Sequence, residues 1–244
     1  MLALVGLVAT AGAPARAAQT SVAVAANFTE PAREIAAAFK RATGEEAVLS
    51  FGASGQFLTQ ITQGAPYQVF LSADVERAQK AEAAGVGVAG TRFVYAVGRL
   101  VLYSRTPGLV DDRGAVLRRP ERFQKLAIAD PASAPYGLAA VQTLTRLGVY
   151  PALSAKVVRG SSITQAYQFV ATGAAELGFV ALSQVIGVPG GSRWLVPESL
   201  HAPIDQGAIL LAPGDKNPAA RAFLAFLKGP QARAIIRRYG YQVR

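Results

Sequence analysis

The sequence predicts an α/β protein of two lobes, built from mostly parallel sheets flanked by helices, and three observations lead there. Short apolar runs recur, each followed by a turn of small residues and then an amphipathic stretch, which is the pattern of repeated β-turn-α units. The alternation halts between Arg92 and Arg105, where two β-rich runs stand side by side, and then begins afresh. Finally, the 244 residues are 51% hydrophobic and only 16% charged, enough to bury a core in each of two lobes of roughly 100 to 150 residues.

In chain order, Ser21–Ala26 has the composition of a buried strand, and Asn27-Phe-Thr-Glu-Pro31 opens a helix with Ile35 and Phe39 on its apolar face and Gly44 as its stop. Ala47–Phe51 repeats the strand, Gly52-Ala-Ser-Gly55 the turn, and 56–63 the helix, ending before Gly64. Val69–Ser72 is a third strand, and Asp74 introduces a helix to about Ala84. Phe93–Val97 and Leu100–Tyr103 form the crossing between lobes. In the second lobe, Ala127–Ala129, Val157-Val158 and Glu176–Val180 are strands. Helices begin at Pro135 and after Gly160-Ser-Ser, and stop at Gly148 and Gly173. Ala208–Leu211 is a last strand, Asn217-Pro218 is an N-cap with proline at the first helical position, and two helices, Ala219–Leu227 and Gln231–Tyr239, close the chain. The expected division is 18–96 with 206–244 for one lobe and 97–205 for the other.

Residues 1–17 are an apolar run, uncharged as far as Pro14 and ending in Ala15-Arg16-Ala17, a small-x-small processing pattern, so they are expected to be an export signal. The run is shorter than a bilayer span and is broken by Pro14.

Several chemistries are excluded at once. With no cysteine and the single His201, the chain cannot supply a thiolate zinc site, an iron–sulfur cluster, a cysteine nucleophile or a histidine pair. There is no Gly-x-x-x-x-Gly-Lys-Ser/Thr loop and no Gly-x-Gly-x-x-Gly fingerprint for nucleotides. Gly52-Ala-Ser54-Gly55 falls one residue short of a nucleophile elbow, and His201 stands in a loop-like Ser-Leu-His-Ala-Pro context, which leaves an exported serine hydrolase built on Ser54 as a distant alternative. Asp111-Asp112 and Glu45-Glu46 suit solvated turns. The net charge of +10 comes from scattered basic residues in nothing longer than pairs, as expected for a solvated surface and not for a nucleic-acid or lipid partner.

What recurs instead is a strand, a turn of small or hydroxyl residues and a helix start, at Ala26-Asn27-Phe28, Gly52–Gly55, Pro135-Tyr136-Gly137 and Ser161-Ser162-Ile163. First-turn amides have no acceptor within the helix and carry the positive end of its dipole, so several such ends meeting at one point would hold an anion. No Lys or Arg lies in these turns, which favours a fully deprotonated oxyanion held by neutral donors. Plain N-capping explains the same residues equally well.

Read as an ordered set, Val24-Ala-Ala-Asn-Phe28, Ser50-Phe-Gly-Ala-Ser-Gly55, Gln63-Gly-Ala-Pro66 before Val69-Phe-Leu-Ser-Ala-Asp74, Ala129-Asp-Pro131 with Pro135-Tyr-Gly137, Leu177-Gly-Phe-Val180 and Leu227-Lys-Gly-Pro-Gln231 resemble the periplasmic molybdate-binding proteins of molybdate ABC importers. The resemblance spans about residues 20 to 244. It implies a type II periplasmic binding protein with two crossover strands, a monomer that closes on molybdate or tungstate and delivers it to a membrane permease, with no catalysis and no cofactor. Sulfate or another oxyanion is the nearer alternative ligand. By the same resemblance, Asn27 sets a polar side chain against the anion, Ser54 offers hydroxyl and N–H, and Tyr136 and Ile163 donate backbone N–H. All four would meet the metal only through the oxygens of the anion. Some family members have a tyrosine hydroxyl just after Leu-Gly-Phe-Val; here Ala181 stands there.

Overall fold

The computed structural model describes residues 18–243; the expected export signal, 1–17, lies outside them. In the first lobe the strands are buried on both faces, so alternate residues enter different cores. Strand β1 (Gln19–Ala25) sends Val22 and Val24 to one side and Ala23 to the other. β3 (Val69–Leu71) divides the same way, with Val69 and Leu71 opposite Phe70. On the Val22 side pack α1 (Thr29–Thr43), α8 (Pro218–Lys228) and α9 (Pro230–Arg238), where Phe39 meets Phe223 edge-on at 5.3 Å. Each such fully buried aromatic contributes roughly 1.5–3 kcal/mol. On the Ala23 side pack α2 (Ser54–Thr62) and α3 (Val75–Ala83), through Phe57, Ile61, Ala78 and Ala81.

With β2 (Glu46–Gly52), β4 (Phe93–Gly98) and β10 (Ile204–Leu210), these strands form a five-stranded sheet in the order β2-β1-β3-β10-β4. Only β10 runs against the other four. The second lobe repeats the plan. Strands β5 (Leu100–Ser104), β6 (Leu126–Ala129), β7 (Val157–Gly160), β8 (Leu177–Ala181) and β9 (Ser192–Leu195) are ordered β7-β6-β8-β5-β9, with β5 the reversed one. Helices α4 (Pro135–Arg146), α5 (Tyr150–Leu153), α6 (Ile163–Ala171) and α7 (Leu182–Val185) belong to this lobe. Its core is built from Leu100, Leu102, Ile128, Leu144, Phe179 and their neighbours.

The chain passes between sheets twice, at Arg99 and again over residues 196–203. Strands β4 and β10 each reach two residues beyond the expected divisions after 96 and 205. Gly44, Gly148 and Gly173, placed by sequence at helix stops, all adopt positive φ of 70–81°.

Four elements differ from the sequence reading. β9 was not expected, α5 and α7 are single turns without periodicity, and β10 starts at Ile204, four residues earlier than its apolar run. The physical reason for the last is Gln206: it is fully buried inside the strand with its amide hydrogen-bonded, which hydrophobic patterning does not register.

Candidate functional site

Between the two sheets lies a small cleft whose cavity volume, ≈ 10 Å³, is far below the roughly 300–1,000 Å³ that takes a drug-sized ligand. Asn27, Ser54, Tyr136 and Ile163 all line it, together with alanines, Gly52 and Pro135. Among the described residues, no charged side chain and no histidine does so. The cleft therefore unites the four turns of the sequence, two from each lobe.

Each turn leaves amides without a helical acceptor. Asn27 sits in the single 3-10 turn Ala26–Phe28 that links β1 to α1. Ser54 and Ile163 are the first residues of α2 and α6, and Tyr136 follows Pro135 in the first turn of α4. Their N–H groups are the open, positive ends of those elements. Ser54 adds a hydroxyl whose oxygen already accepts from the Ala73 N–H at 2.9 Å, so its proton is free to donate. Gly137, the next residue of α4, lets that helix abut the end of β6: a Cβ there would lie 2.1 Å from the Ala129 carbonyl oxygen.

The Asn27 side chain is engaged behind the cleft. Its Nδ2 donates to Gln206 Oε1 at 2.9 Å and to Tyr241 Oη at 3.0 Å, which uses both amide hydrogens behind the cleft. The Tyr136 hydroxyl is likewise buried, 3.5 Å from Gln206 Nε2. At the Ala181 position there is no donor to spare: the residue is fully buried and its N–H donates to Gln184 Oε1 at 3.0 Å.

Behind Asn27 the sequence reading missed a buried polar cluster. Tyr95 Oη donates to Gln206 Oε1 at 2.9 Å, while Tyr241 Oη (2.6 Å) and Ser183 Oγ (2.8 Å) donate to the Asn27 carbonyl. These partners lie up to 214 residues apart and carry no local motif; the only signal available was hydroxyl and amide residues inside otherwise apolar segments. Burial pushes the Tyr95 and Tyr136 phenols well above the ordinary 10, and that of Tyr241 to about 12. All three remain neutral donors at physiological pH.

A folded-state value above the unfolded one means that the folded chain holds its proton longer, so this stability is intact below pH 10 and is lost as pH rises through 12. The expected result is a melting temperature that falls steeply between pH 10 and 12, with Tyr241 alone accounting for about 2 to 3 kcal/mol. A melting temperature flat across that interval would contradict the cluster.

Comparison with known proteins bears on this geometry. Residues 20–242 match the family model described as bacterial extracellular solute-binding protein. The chain belongs to that family. It is 57% identical over 228 residues to the molybdate-binding protein ModA of Rhodobacter capsulatus, covering 93% of this chain and 90% of that one. To the Azotobacter vinelandii protein of the same name it is 54% identical over 239 residues, 97% of this chain and 93% of the other. The solved structure of an Azotobacter vinelandii periplasmic molybdate-binding protein superposes with a TM-score of 0.89 at 41% identity, covering 92% of this chain and 99% of that one.

Proposed function

We propose that the chain captures molybdate, and tungstate too, in the inter-lobe cleft outside the cytoplasmic membrane and delivers it to the permease of an ABC importer. The observation that carries this reading is the cleft itself: four neutral turn ends, two from each lobe, around a space too small for most organic ligands. The names of the relatives, with the whole length matched, supply the ligand.

In this reading the lobes, 18–96 with 206–244 and 97–205, close on the anion, Ser54 donates hydroxyl and N–H, and Asn27, Tyr136 and Ile163 donate backbone N–H. The metal is met only through its oxygens. Molybdate is cargo, so no resident cofactor is needed. Residues 1–17 direct export and are removed, and the protein works as a periplasmic monomer.

The neutral shell accounts for selectivity. Burial in a low dielectric strengthens each N–H donor, whereas a protonated phosphate brings a hydroxyl that a ring of donors cannot accept. Sulfate has the charge but is smaller, and leaves donors underengaged. The hydrolase alternative finds no support: the cleft lining offers Ser54 neither histidine nor carboxylate, and the His201 Nδ1 is taken up 2.7 Å from the Ala202 carbonyl oxygen.

Thermal unfolding with each anion at equal ionic strength tests the reading. A ligand at 100 times its dissociation constant adds about 2.7 kcal/mol, which raises the midpoint of a chain this long by roughly 5–10 °C. Molybdate and tungstate are expected to produce that rise, and sulfate and phosphate none. A rise with sulfate alone would make this a sulfate receptor, and no rise with molybdate would end the proposal.

A further inference from the structure

The lobes also touch at the mouth of the cleft, through one arginine. Asp74 caps the N-terminus of α3 by accepting from the Arg77 N–H at 2.9 Å, and its carboxylate forms a close ion pair with the guanidinium of the same Arg77. Thus anchored in the first lobe, Arg77 reaches across with Nη2 and donates to the Ala132 carbonyl of the second lobe at 2.8 Å. Beside it, the Gly55 N–H donates to the Ser133 carbonyl at 2.9 Å.

The receiving loop is braced from within. Asp130 accepts through its carbonyl from the N–H of Ser133 and of Ala134, at 3.2 and 2.9 Å, and through its carboxylate from Ser133 Oγ at 3.4 Å. The loop therefore presents the Ala132 and Ser133 carbonyls as a fixed pair. The Gly55 contact joins the residue after Ser54 on one lobe to the loop before Tyr136 on the other, and the Arg77 bond ends on the same loop, so both form only when the lobes meet over the cleft. Arg77 does not line the cleft, and its side chain is 16% exposed.

We propose that Arg77 is a positioning residue that latches the closed cleft and sets the rate at which the bound anion leaves. The anion enters the open form, where Arg77 rests on Asp74 alone; closure then adds the bond to Ala132, which must break before release. The inference rests on the oxyanion reading of the cleft.

Stopped-flow kinetics with molybdate on the unsubstituted protein, Arg77→Ala, Arg77→Lys and Gly55→Ala tests it. For Arg77→Ala the association rate is expected to stay unchanged and the release rate to rise about tenfold, the scale of one charged hydrogen bond at a partly exposed rim. Arg77→Lys, with a point charge in place of the fork, recovers part of that loss. Gly55→Ala probes the same contact sterically: its Cβ would lie 2.9 Å from Ser133 Cα and 3.0 Å from Ser133 O in the closed form. It is expected to speed release while leaving the melting temperature of the ligand-free protein in place.

Release within twofold of the unsubstituted rate for both Arg77→Ala and Gly55→Ala overturns the latch. An affinity loss lying wholly in association does so as well. No molybdate binding by the unsubstituted protein would instead remove the proposed function, and the latch with it.

Discussion

Asn27→Asp is expected to lower molybdate affinity by more than about 100-fold and to destabilise the ligand-free protein by about 3 kcal/mol. The substitution is nearly isosteric, so no cavity is made, and the effect is chemical. Asn27 is 3% exposed, and its Nδ2 is the donor to both Gln206 Oε1 and Tyr241 Oη. An aspartate at this place turns two donors into acceptors and sets a buried negative charge at the wall of a site meant for a dianion. Rotation of the Gln206 amide relieves part of the first effect, because its Nε2 can then face the carboxylate. Nothing relieves the second except protonation, so the variant should bind better as pH falls toward and below the carboxylate range. Calorimetric titration at two pH values, with denaturant unfolding of the ligand-free protein, checks both parts. Affinity within threefold of the unsubstituted protein would show that Asn27 does not border the anion.

The second large effect is Gly137→Ala, expected to destabilise the protein by about 3 kcal/mol and lower its melting temperature by roughly 6–12 °C. The sign is the informative part, since Gly→Ala inside a helix ordinarily stabilises by roughly 0.5–1 kcal/mol. Here the added Cβ would lie 2.1 Å from the carbonyl oxygen and 2.7 Å from the carbonyl carbon of Ala129, both backbone atoms at the end of β6. Neither can rotate away, so α4 must retreat from the sheet and carry the Tyr136 N–H with it. Anion affinity should fall along with stability. A variant as stable as the parent would mean that α4 is not seated on β6 as described.

Much of this architecture is visible in the sequence because its signals are local. Strand–turn–helix units with small residues in the turn place Ser54, Tyr136 and Ile163 at helix starts, and glycine stops such as Gly44 end helices where the backbone needs a left-handed residue. What escapes is whatever depends on distant pairing. Gln206 in β10 looks like a polar break in an apolar strand until Tyr95 and Asn27 are set beside it. Tyr241, near the C-terminus, looks like an ordinary aromatic until its hydroxyl is seen on the Asn27 carbonyl, 214 residues away.

For Asn27 the same limit hides the side chain's partners. A resemblance to relatives placed it at the anion, and the structure keeps it at the cleft, but only three-dimensional pairing reveals that its amide hydrogens are directed to Gln206 and Tyr241. Arg77 is a like case. In sequence it is one of several scattered basic residues on α3 and elsewhere, and its reach to Ala132 exists only between lobes.

Calorimetric titration of residues 18–244, expressed without added molybdate, against molybdate and then against sulfate tests the central claim most directly. One saturable site for molybdate, displaced by tungstate and untouched by sulfate at equal ionic strength, is the result expected of a cleft walled by neutral turn ends. No saturable heat with molybdate, or equal affinity for sulfate, would contradict it.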